Sequence, residues 1–127
     1  MAGTAAASPL AFETFWSWLT GHTTCILEAS VGDALIKDHD LAHWDVFQTR
    51  EGDCICHVLI GKALIAQIQI DPKQVLLVHA SPDPDDPEAA RWVYDCLTGP
   101  EDDAYTFCSF TMAHGMEQTR GHQLVKH

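Results

Sequence analysis

The chain has 127 residues, 46% of them apolar, and sets 18 acidic side chains against 7 basic ones for a formal charge of −11. That length accommodates one core, and the apolar share excludes a wholly disordered chain. The acidic balance argues against nucleic acid, whose phosphates need a basic stripe, and against an anionic membrane leaflet.

No apolar stretch reaches the roughly 20 residues of a membrane span. The longest, Cys54 to Ile70, is broken by His57, Gly61, Lys62, Gln67 and Gln69. Met1 to Ser8 lacks the cationic start and apolar core of a secretory signal. Cys25, Cys54, Cys56, Cys96 and Cys108 are odd in number and sit mostly in apolar runs. They read as reduced, buried thiols and not as a disulfide framework, so a cytoplasmic protein is expected.

Taken in chain order, residues 1–8 read as a disordered N-terminus, residues 9–114 as a single domain and residues 115–127 as a flexible polar tail. Ser8 and Pro9 read as N-cap and first helical position, followed by Phe12, Phe15, Trp16 and Leu19 at helical spacing and a stop at Gly21. Thr23 to Leu27 and Ala34 to Lys37 read as short strands around a turn at Ser30 to Asp33, with a helix beginning at Asp33 as the competing reading. Trp44 to Thr49, Cys54 to Ile60, Ala63 to Ile70 and Gln74 to Ala80 are four strands joined by tight turns. Such short connections make them antiparallel. Ala63 to Ile70 alternates most plainly, with Leu64, Ala66, Ile68 and Ile70 on one face and Gln67 and Gln69 on the other. Asp86, Pro87 and Glu88 look like the start of a second helix with Ala89, Trp92, Val93, Cys96 and Leu97 as its stripe and Gly99-Pro100 as its end. Tyr105 to Met112 completes the chain as a last strand. The predicted class is α+β: an N-terminal helix, an antiparallel meander of four to six strands, a second helix and a final strand, in two helix-on-sheet layers.

Chemistry-bearing motifs are few. Asp83, Asp85, Asp86 and Glu88 lack the spacing and the glycine of an EF-hand loop. His39 and His43 would share a face if helical, and with Asp40 they form the candidate metal set His39, Asp40 and His43. Cys54 and Cys56, one residue apart on a strand, share a face that His57 does not, which is poor zinc geometry. Cys56 or Cys108 with His79 or His114 would be the pairs for thiol nucleophilic chemistry, but neither cysteine sits at a helix N-terminus. Phosphate-cradling glycine motifs are absent from the sequence, and no cofactor is expected. The four tryptophans, Trp16, Trp18, Trp44 and Trp92, are the candidate ligand or partner contacts.

These features predict a small acidic binding module without catalytic activity, a homodimer or the partner of another protein, using an apolar patch with an acidic rim. The alternative is a small-molecule site or metal-assisted enzyme with a His/Asp-lined pocket between sheet and helix, to which His57 and His79 could also contribute.

Overall fold

Ala63 to Ile70 is an extended strand in the computed structural model, which describes residues 8–86 and 90–116. The mixed α and antiparallel β character is as predicted; the number and arrangement of elements are not. Nine strands and one α-helix are present among the described residues: β1 (Ser8–Leu10), α1 (Phe12–Thr20), β2 (Ile26–Val31), β3 (Ala34–Lys37), β4 (Ala42–Gln48), β5 (Cys54–Ile60), β6 (Ala63–Ile70), β7 (Leu77–Pro82), β8 (Trp92–Thr98) and β9 (Tyr105–Met112). They form a six-stranded sheet in the order β1-β7-β8-β9-β2-β3 and a three-stranded sheet in the order β4-β5-β6.

The second helix is the main correction. The residues of its expected stripe form β8, in which Tyr94 and Cys96 are fully buried. Trp92, Val93, Tyr94 and Thr98 all favour extended backbone. With β7 on one side and β9 on the other, strand pairing satisfies the backbone groups of a segment that a helix would have to satisfy alone. Among the described residues Asp86 caps no helix; with Asp83 it flanks the Arg91 guanidinium, each carboxylate oxygen 3.2 Å from Nε. Pro87, Glu88 and Ala89 lie outside the described residues.

Two further expectations change. Ser8 and Pro9 belong to β1, paired with Ala80 and His79 of β7, and α1 starts at Phe12 with Ala11 before it and no side-chain cap. Pro9 cannot donate to a ladder, which suits it to a sheet margin. The four-stranded meander also divides. β4, β5 and β6 zip together, Trp44 facing Val58 and His57 facing Gln67. After a 3₁₀ turn at Pro72–Gln74, β7 joins the other sheet, anchored by Leu76 N–H to the Leu97 carbonyl at 2.8 Å.

One core lies between these layers. Both α1 and the three-stranded sheet cover the six-stranded sheet. Phe15 stacks on Tyr94 with ring centroids 4.9 Å apart, and both Phe15 and Trp16 meet Phe110. Trp16 Nε1–H reaches the Phe47 carbonyl at 3.4 Å, joining α1 to β4. The boundary of the C-terminal tail moves: Met116 is 1% exposed and donates its N–H to Tyr94 Oη at 2.7 Å, so 115 and 116 belong to the folded body. Residues 1–7 and 117–127, which carry nearly all of the expected disordered N-terminus and most of the expected tail, lie outside the described residues.

Candidate functional site

A hollow of about 420 Å³ opens between the two sheets. Val31, Ala34, Ile36, Phe107 and Cys108 line it from the six-stranded sheet, and Ala66 to Ile70 line it from β6. Its origin is local. The β2–β3 hairpin turns at Gly32, whose φ of 57° suits a residue without a side chain, and β3 stops after four residues. Ala34 on β3 and Ala66 on β6 are too small to fill the space between the two sheet margins.

Among the described residues no charged side chain lines this cleft. Asp33 follows the Gly32 turn, Asp71 follows Ile70, and Asp53 accepts from Gln69 Nε2 at 3.4 Å, so carboxylates stand around the apolar lining. Beside it, Leu35, Leu64 and Ile65 are 54%, 51% and 52% exposed. Exposed apolar side chains near an apolar hollow on a charged protein are a feature of binding faces.

The predicted tryptophans do not form that face. Trp16 and Trp44 are core residues, 4% exposed. Trp16 contributes one wall of a smaller hollow beside α1, with Phe12, Gln48 and Pro72. Trp44 Nε1–H bonds Asp38 Oδ1 at 2.9 Å. Trp18 and Trp92 are half-buried, Trp18 stacked on His22 and Trp92 lying against Gly115 so closely that a Cβ there would meet the indole at 2.9 Å.

His39, Asp40 and His43 do share a hollow, about 310 Å³, with Thr23, Thr24, Asp38 and Trp44. They stand on an exposed turn and the start of β4, where His39 Nδ1 accepts the Leu41 N–H at 3.0 Å. Among the described residues no group of three His, Cys, Asp or Glu side chains is disposed to hold a metal ion.

Cys54, Cys56, Cys96 and Cys108 are buried and all five cysteines are free. Burial pushes the Cys54 thiol up to about 11, helped by the carboxylates of Asp53, Glu13 and Asp71, and pushes Cys56 up to about 12. The Cys96 thiol is raised well above its usual range, first by its hydrogen bond with Cys108 and then by burial. A raised pKa keeps a thiol protonated, the opposite of what a nucleophile needs. The sequence pairing of Cys56 or Cys108 with a histidine missed the cysteine that has one. Cys25 Sγ lies 3.2 Å from His114 Nε2, beside the rings of Trp18 and His22. No sequence signal joins residues 89 positions apart.

The comparisons add no identity: no protein-family model, curated protein or solved structure matches this chain. Among the described residues no helix is long and apolar enough to cross a membrane.

Proposed function

We propose that the protein is a non-catalytic binding module, acting as a homodimer or on another protein, whose binding face is the cleft between β3 and β6 with its rim of Asp33, Asp53 and Asp71. The observation that carries this reading is an uncharged hollow of about 420 Å³ flanked by half-exposed leucine and isoleucine on an otherwise strongly acidic protein. Apolar area removed from water supplies about 25 cal/mol per Å², so such a surface gains most by being covered. A cytoplasmic setting fits the five free cysteines.

Nile red, a neutral dye that fluoresces in apolar surroundings, tests the face directly. Well below micromolar concentration, where a micromolar dimer is dissociated, bright emission is expected from the native protein and dim emission from Ala66→Glu, which places a carboxylate in the cleft. A native protein that leaves the dye dark and is strictly monomeric by light scattering overturns the reading.

The polar hollow at His39, Asp40 and His43 favours a second reading, a small-molecule site, because four ionisable side chains, Asp38 among them, line one space. Metal analysis of protein purified without chelators, with calorimetry against simple anions, addresses it; neither metal nor heat of binding would end it.

A further inference from the structure

Four strands stand at sheet margins among the described residues: β1, β3, β4 and β6. A margin strand exposes unpaired N–H and C=O groups, and proteins blunt that hazard with short length, proline or charge. β1 is three residues long and contains Pro9. β3 is four residues long and ends in Lys37. β4 carries His43 and Asp45 and has α1 beside it. β6 lacks all three, and its single irregularity is a bulge at Ile65. It runs for eight residues, Ala-Leu-Ile-Ala-Gln-Ile-Gln-Ile, without a charge or a proline.

The composition matters because the whole chain carries −11, so copies of it repel wherever carboxylates face each other. β6 itself carries no carboxylate, so two backbones can meet along it with no like charges on the paired strands. Its flanks are complementary as well. Lys62 stands in the turn before the strand and Asp71 directly after it, both exposed. Antiparallel pairing of β6 with its own copy brings each Lys62 to the Asp71 end of the partner, twice over. That end also carries Asp53 and Lys73, leaving it net negative towards the incoming lysine.

We infer that the occupant of this face is a second copy of the chain, joined by antiparallel pairing of β6 with β6 about a twofold axis perpendicular to the sheet. The inference rests on the reading of the cleft and its β6 rim as the binding face, and it names the partner. The axis makes the interface isologous and closed, so pairing stops at two. It merges the three-stranded sheets into one of six strands. Ile65 is the extra residue of a bulge, skipped in the register between Val58↔Ala66 and Leu59↔Leu64, and it and Leu64 lie along the joined margin. The apolar cleft, which opens between the β3 and β6 margins, then faces the partner in place of water.

Light scattering on the full chain tests this at concentrations up to about 0.1 mM, where any specific micromolar dimer is populated. The expected mass is twice the 14.0 kDa of one chain. Ile65→Lys combined with Gln67→Lys, both at exposed positions, is expected to return the mass to that of one chain with an unchanged circular dichroism spectrum. Lys62→Glu is expected to weaken the dimer about tenfold, since two exposed ion pairs become repulsive, and Lys62→Glu with Asp71→Lys to recover it. A monomer at every concentration overturns the inference, and so does a dimer that ignores these substitutions. Nile red separates the two failures. A monomer that lights the dye leaves the cleft as a binding face for another protein, whereas a dark monomer removes both.

Discussion

Cys56 sits at the centre of β5, fully buried, with Cys108 and Asp45 near enough to oppose a negative charge on its sulfur. Its thiol is raised from 9.0 to about 12, and that of Cys54 from 9.0 to about 11. The folded state therefore holds these protons more tightly than the unfolded chain does. The associated stability is fully present below pH 9 and is lost as the pH climbs through the folded values. Thermal unfolding followed across that range is expected to show a falling midpoint above pH 9 and a shallower fall for Cys56→Ala. Identical slopes for the two proteins would show that the sulfur is not held protonated by its surroundings. At the same scale, the carboxylates of Asp83 and Asp86 are accounted for by Arg91 between them and by the Asp85 N–H, which Asp83 Oδ1 accepts at 3.0 Å. The acidic connector is thus a braced turn and not a cluster awaiting calcium.

Phe15 fastens α1 to the six-stranded sheet through the rings of Tyr94 and Phe110. Phe15→Ala is expected to cost about 3–5 kcal/mol in urea unfolding, the range for deleting a buried ring. A loss below about 1 kcal/mol would mean that α1 is a loosely held appendage. The apolar face of this helix was legible in the sequence because one period, 3.6, explains Phe12, Phe15, Trp16 and Leu19 together. β4, β5 and β6 were legible for a similar reason, with period 2 interrupted by turns at Gly52 and Gly61, both at positive φ. β8 was not. Its residues fit a helical stripe nearly as well as a strand, and the deciding contribution comes from β7 and β9, which local reading does not supply. β1 failed likewise, since Ser-Pro serves a helix start and a sheet margin equally. The cleft was half legible. The alternation of β6 marks its lower wall, but the upper wall comes from β2, β3 and β9, brought opposite by pairing between distant segments. The tryptophans were ambiguous because large aromatic rings are at home in cores, as Trp16 and Trp44 are, as much as on binding faces.

The molecule as a whole carries −11 with a sequence pI near 4.8, so acid removes the repulsion between copies. Light scattering is expected to rise between about pH 6 and 5, as the net charge falls towards zero, and to fall again on neutralisation. A flat trace would show that charge does not govern association. The topology has its own consequence. β4, β5 and β6 close on neighbours a few residues away, whereas β2 takes as its partner β9, Ile26 against Met112. Bringing such distant segments together costs loop entropy before any contact repays it. As the polypeptide is made, the small meander can zip at once while the early hairpin waits, one flank bare, for a strand not yet translated. The larger sheet is therefore assembled last, and the period before its closing stitch is when a nascent chain of this kind is most exposed to strangers.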